Sequence, residues 1–312
     1  MKKKSAAFSL VELMISMTIL IVLMILFTKI IDQTSVTIQS ADKQIDISMQ
    51  LQGAMNRLNA DLSGIVTQGG ATLLVLKDLQ TEGGGGLNDA LVFATRIRTR
   101  QIAGSEESNA RLAVRTYKIN PLPDAELEGN TVPMLALGDE TMMWTKQQGN
   151  NSFATALRSA LDKALDQSNE ASEQFKPLTS GIFRMEVSFL LNDGTTVSIP
   201  PRHRDFTKIE RSNVYAAAFN AEDSLDPKKT YVQALVLSFI CLDRETRKQV
   251  GSQGSEMGNL SDLFVNPERD QFPLQAWDIH KNRLFLEELK KESYGPKVLK
   301  SMKILQRYFY LP

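Results

Sequence analysis

Met1-Lys2-Lys3-Lys4-Ser5-Ala6-Ala7-Phe8-Ser9-Leu10-Val11-Glu12-Leu13 opens the chain and decides how the rest is read. From Phe8 to Phe27 every residue is apolar except Ser9, Glu12, Ser16 and Thr18, and no Gly or Pro interrupts the run. About 20 such residues span roughly 30 Å as a helix, the thickness of the bilayer hydrocarbon. Three lysines precede the run, whereas Lys29 and Asp32 roughly balance behind it. That bias holds the N-terminus in the cytoplasm and sends everything after Thr28 outward. A secretory signal peptide would end in small residues after its apolar core. Here Thr28-Lys29-Ile30-Ile31-Asp32 follows the core, and the small residues Ser5-Ala6-Ala7 lie before it. Glu12 is the telling residue, because an acidic side chain inside the membrane costs roughly 3 kcal/mol on insertion scales and points to a function with a partner.

Basic residues, a small residue and then Phe8-Ser9-Leu10-Val11-Glu12-Leu13 resemble the leader and first turn of type IV pilins and type II secretion pseudopilins. The resemblance implies a cut by prepilin peptidase between Ala7 and Phe8, N-methylation of Phe8, and pairing of the Glu12 carboxylate with the terminal amine of a neighbouring subunit. A carboxylate in low dielectric needs such a cation. Ala7 stands where the family usually has Gly, and the family's helix-breaking Gly and Pro are missing from the membrane segment.

Beyond the membrane run, Ile38, Ala41, Ile45, Ser48, Met55, Leu58, Leu62 and Ile65 recur at helical steps, with polar residues such as Gln39, Asp42 and Lys43 between them. The spacing predicts one amphipathic continuation. The helix should run from about Phe8 to Val66, roughly 85–90 Å, and end at Gln68-Gly69-Gly70. The expected organisation is a leader over 1–7, a transmembrane half over 8–28, an amphipathic half over 29–67 and a β-rich periplasmic head over 71–312.

In the head, strands are expected at Ala71 to Leu79, Ala90 to Arg98, Leu112 to Ile119 and Tyr231 to Leu242, the last central to its sheet. Ile182 to Leu191, Asn192-Asp193-Gly194 and Thr195 to Ile199 read as a hairpin. Ser152 to Gln167 and Asn282 to Glu292 read as helices, and Val298 to Leu311 as an amphipathic helix or strand. Gly83 to Gly86 lacks the Lys-Ser/Thr of a phosphate loop and reads as a flexible surface loop. Thr246 to Asp262 reads as a mobile loop. The fold class that follows is α+β: a pilin-like long helix packed on a head of antiparallel sheet.

Lys+Arg and Asp+Glu both number 36, so no global field draws nucleic acid. Arg96, Arg98 and Arg100, with Arg111 and Arg115, form a basic stripe that lacks interleaved aromatics and reads as a solvated strand face. A single cysteine, Cys241, excludes an intramolecular disulfide, and His203 and His280 lack metal-ligand spacing. Catalytic motifs such as Gly-x-Ser-x-Gly and His-Glu-x-x-His are absent from the sequence, so no enzyme, cofactor or metal is expected. Ala221-Glu222-Asp223-Ser224-Leu225-Asp226 has the oxygen chemistry of a Ca²⁺ loop without its full ligand spacing, and reads as a solvated loop.

Met55-Asn56-Arg57-Leu58-Asn59-Ala60-Asp61-Leu62, the strand Val114-Arg115-Thr116-Tyr117-Lys118-Ile119 and the order of the later strands resemble the J-type minor pseudopilin, with insertions at 120–177 and after 247. The resemblance implies a non-enzymatic minor subunit at or near the tip of a type II secretion pseudopilus. Its partners would be prepilin peptidase, other pilin-like subunits, the inner membrane and the assembly platform. A minor pilin of a type IV pilus, displaying an adhesion or DNA-uptake head, is the alternative.

Overall fold

In the computed structural model, the described residues are 10–66, 73–81, 85–97, 111–124, 131–143, 149–166, 174–203, 213–251, 260–261, 263–264, 273–291 and 296–311. The chain divides into two compact units, Met1–Asp46 and Ile47–Pro312. The expected long helix is present as α1 (Leu10–Ser63), which runs through the first unit and into the second.

Helix α1 ends where Gly64 tightens its last turn: the Gly64 and Ile65 amides donate to the carbonyls of Asp61 and Leu62. The chain then joins a sheet directly, with Val66 N–H donating to Ala94 O at 3.1 Å and Arg96 N–H to Gly64 O at 2.8 Å. The face of α1 buried in the second unit is Ile47, Leu51, Ala54, Leu58, Asp61 and Leu62. This corrects the predicted stripe, since Ile38 and Ile45 stay exposed. Leu58 and Leu62 belong to both readings, but steps of three and four residues back from them lead to Ala54, Leu51 and Ile47 rather than to Ile45.

Among the described residues, ten strands form two antiparallel sheets. The first has the order β5-β4-β3-β2-β1-β8. It is built from β1 (Leu73–Thr81), β2 (Gly85–Ile97), β3 (Arg111–Pro123), β4 (Thr131–Met143), β5 (Phe175–Thr179) and β8 (Val214–Ala216). The second has the order β10-β9-β6-β7. It is built from β6 (Ile182–Leu191), β7 (Thr196–Val197), β9 (Val232–Cys241) and β10 (Lys303–Tyr310). The main core lies where the buried face of α1 meets the inner faces of both sheets, at residues such as Leu58, Val75, Phe93, Val187 and Leu237.

The near-continuous apolar runs have a common cause, since a strand covered on both faces has no solvent side to keep polar. In β1, Leu73 and Val75 face the main core while Leu74 and Leu76 pack under helix α2 (Gly149–Leu165) with its Leu157 and Leu161. At β9, Leu237 and Phe239 face the main core and Ile240 meets a third cluster with Trp277, Leu299 and Phe264. β9 pairs with both β6 and β10, as its central placement in the sequence reading requires.

Several expectations change. Gly83 to Gly86 is not wholly loop, because β2 begins at Gly85, paired with Thr81. Thr246 to Asp262 includes most of helix α3 (Arg244–Gly251), and Leu260 and Ser261 are buried. Asp243 caps α3, its carboxylate accepting the amides of Glu245 and Thr246 at 3.1 and 3.0 Å and the Thr246 hydroxyl at 2.7 Å. The expected helix at Asn282 begins earlier, as α4 (Pro273–Lys291). Val298 to Leu311 is both things in turn, a short helix α5 (Pro296–Ser301) and then β10. The hairpin stands, with Gly194 at φ 84° in its turn and β7 reduced to two residues.

Candidate assembly helix and its anchor

Within Leu10–Asp46 the helix is exposed and apolar around its whole circumference from Leu10 to Phe27, Phe27 for example at 63% exposure. A helix with no polar face does not suit water, and this one is long and apolar enough to cross a membrane. The hydroxyls inside the run are already satisfied: Ser16 Oγ donates to Glu12 O at 2.8 Å, Thr18 Oγ1 to Met14 O at 2.8 Å and Thr28 Oγ1 to Met24 O at 2.9 Å. Such back-bonding to the preceding turn lets a hydroxyl sit in hydrocarbon without a further partner. Glu12, in the first described turn, is then the one ionisable side chain between Leu10 and Thr28. Ala7 and Phe8, the expected cleavage and methylation positions, lie outside the described residues.

At its other end α1 is fixed by a buried charge cluster. Asp61 is only 9% exposed, on the face of the helix turned to the sheet. Its Oδ2 accepts the Tyr117 hydroxyl at 2.6 Å and Arg57 Nε at 3.2 Å. Arg115 Nε approaches the same oxygen at 3.5 Å, and Arg115 Nη1 pairs with Asp139 at 2.5 Å. The Asp61 carbonyl accepts the Thr95 hydroxyl at 2.6 Å. Burial and the bond to Asp61 push the Tyr117 phenol well above its ordinary range. Arg115 therefore overturns part of the solvated-stripe reading: it is buried and paired, while Arg96 remains exposed and Arg98 and Arg100 lie outside the described residues. An alternating pattern shows which strand face a residue takes, but not that an acidic helix residue waits on that face.

A second cluster stitches the two sheets together. Beyond the short β7, the edge of β6 is met by side chains instead of a strand: Asn88 Oδ1 accepts Met185 N–H at 2.9 Å and Asp89 Oδ2 accepts Val187 N–H at 2.7 Å. Lys77 Nζ bridges Asp89 Oδ2 at 2.5 Å and Val187 O at 2.6 Å. Asp78 takes a positive φ of 56° at a register shift in β1, and its amide donates to Asp89 Oδ1 at 3.2 Å. Nearby Glu186 is 3% exposed, and burial followed by the Asp89 charge pushes its carboxyl up to about 8. Sequence reading missed this site; Asn88-Asp89 beside an apolar run was its only signal.

Cys241 is buried, and burial pushes its thiol up to about 12. His203 lies 3.6 Å from Asp223, and the described residues contain no group of three or more His, Cys, Asp or Glu arranged to hold a metal. In the acidic loop, Asn220 Oδ1 accepts the amides of Glu222 and Asp223, while Asp226 accepts Lys228 N–H and the Thr230 hydroxyl, so these oxygens close their own turns.

Residues 2–28 match the prokaryotic N-terminal methylation motif. No curated protein matches the chain significantly. Among solved structures, the type IV-like pilin TTHA1219 from Thermus thermophilus is similar at 12% identity, over 85% of this chain and 94% of that chain, with a TM-score of 0.34. The chain thus carries a prepilin-type N-terminal motif ahead of an α+β head whose antiparallel sheets pack on the outer part of a long helix.

Proposed function

We propose that this chain is a minor pilin-like subunit of a type II secretion pseudopilus, a structural rather than catalytic component. Prepilin peptidase cuts between Ala7 and Phe8 on the cytoplasmic face of the inner membrane, and Phe8 becomes the methylated first residue. The apolar helix keeps the subunit in the membrane as a single pass, with the N-terminus cytoplasmic and the head periplasmic, until the assembly platform draws it into a filament at or near the tip. There the helices of neighbouring pilin-like subunits pack together, and Glu12 pairs with the amine of the adjoining Phe8.

The observation that carries this reading is that Glu12 is the single ionisable residue of the apolar segment from Leu10 to Thr28, inside the stretch that matches the methylation motif. A carboxylate there is costly unless a cation meets it, and a severed leader followed by a stacked copy of the helix supplies one. The large head favours a low-copy position, because a uniform filament would crowd it.

Glu12→Ala, expressed in the native cell, tests the reading. The variant is expected in the inner membrane at wild-type level but absent from the sheared filament fraction. Undiminished incorporation of Glu12→Ala into filaments would contradict the proposal.

A further inference from the structure

Among the described residues, four strands end the two sheets: β5 and β8 in the first, β10 and β7 in the second. A sheet edge exposes backbone donors and acceptors, and proteins blunt it with short strands, charged side chains, proline, bulges or a covering helix or loop. β7 has two residues and β8 three. β5 has five, with Pro177 and a register shift against β4. β10 carries the charges of Lys303 and Arg307, and α4 touches it, but it is neither short nor interrupted by proline or a bulge. It pairs with β9 over eight consecutive positions, Lys303↔Cys241 to Tyr310↔Ala234, without a shift, and contains neither Pro nor Gly.

The orientation of its outer groups follows from one bond. Leu311 N–H donates to Gln233 O at 3.1 Å, toward β9. Backbone direction alternates along a strand, so Ile304, Gln306, Tyr308 and Tyr310 direct their N–H and C=O groups away from β9. Tyr308 and Tyr310 are 45% and 67% exposed. Gln306 donates to the Tyr308 hydroxyl at 3.0 Å, and its Oε1 is buried without a hydrogen-bond partner among the described residues. Exposed tyrosines beside a long, uninterrupted edge ladder are the composition of a contact surface.

Charge specifies the occupant. Residues 293–312 contain Lys297, Lys300, Lys303 and Arg307 and no Asp or Glu. A second copy of β10 would lay one basic strand beside another, whereas an acidic strand gains from each pairing.

We propose that the outer edge of β10 is a strand-addition site that takes an extended, acidic segment of a different protein chain as a fifth strand of the second sheet. This stands apart from the filament reading and does not depend on cleavage or on Glu12.

The test uses the full chain in detergent and three ten-residue peptides that alternate Val with Glu, with Gln or with Lys. Binding is read by fluorescence polarisation, and residue-level amide exchange locates it. The Val/Glu peptide is expected to bind at least tenfold tighter than the Val/Lys peptide and to slow exchange at Gln306, Tyr308 and Tyr310, leaving the amides of Arg307 and Phe309 unchanged. Tyr308→Pro removes one outward N–H without breaking the β9 ladder, and should weaken binding at least tenfold. If Tyr308→Pro fails to fold, Lys303→Glu with Arg307→Glu decides the matter, because it should reverse the preference toward the Val/Lys peptide. Equal affinity for all three peptides, no binding of the Val/Glu peptide, or protection outside β10 would overturn the proposal. So would dimers of the chain cross-linked through Tyr308→Cys without peptide.

Discussion

The Tyr117 hydroxyl on β3 lies 2.6 Å from Asp61 Oδ2 on α1, so the helix is tied to the sheet by a buried polar bond as well as by its apolar face. Removing either partner has a different cost. Tyr117→Phe deletes one hydrogen bond and should destabilise the head by about 1 kcal/mol. Asp61→Ala also strips Arg115, itself 4% exposed, of one of its two carboxylates, and should cost about 3 kcal/mol or more. Denaturant unfolding of the full chain in detergent should rank the two variants in that order.

Gly64 is required by a close approach. A Cβ at this position would lie 2.6 Å from Thr95 Oγ1 and 3.0 Å from Arg96 O. Thr95 is held by its bond to the Asp61 carbonyl, and Arg96 by its amide bond to Gly64 itself. Gly64→Ala should therefore destabilise by about 1–3 kcal/mol, whereas Gly53→Ala, which meets nothing within 4 Å, should be neutral or stabilising in its helix. Paired thermal melts of the two variants check this.

Glu186 predicts a pH dependence with a definite sign. Its carboxyl moves from 4.5 to about 8 on folding, through burial and the Asp89 charge, with Asp78 adding and Lys77 and Arg184 opposing. Between those values the unfolded chain releases a proton that the folded chain keeps. Stability present at low pH is thus lost as pH rises through that window, at up to ~1.4 kcal/mol per pH unit. Glu186→Gln should flatten this dependence, so that its advantage over wild type grows from pH 5 to pH 9 in denaturant titrations. Parallel profiles for the two proteins would remove Glu186 from the account.

The apolar run and the long helix were legible because each rests on a local pattern: an unbroken apolar stretch in one case, helical spacing in the other. The strands β1, β2, β3, β6 and β9 were legible as apolar runs. β4 was missed because Gly138-Asp139-Glu140 sits inside a strand that otherwise reads Thr131 to Met143. β5 and β8 are too short to show a period. The buried face of α1 was misassigned, and Arg115 was read as solvated, for one shared reason. Both depend on which helix residue meets which strand residue, and such pairings across 34 to 56 positions, as in Thr95 with Asp61 or Tyr117 with Asp61, leave no mark in local spacing. Glu12 drew notice in the sequence because a charge among apolar neighbours stands out in one dimension. The Asn88-Asp89 latch was not, because its partners on β6 lie almost 100 residues away, at separations of 97 and 98.

Mass spectrometry of the N-terminal peptide from the protein in its native cell tests the central claim most directly. The account predicts a chain that begins at Phe8 and carries one methyl group on its α-amine. An intact Met1, or a cut after Thr28 that discards the apolar helix, would contradict it.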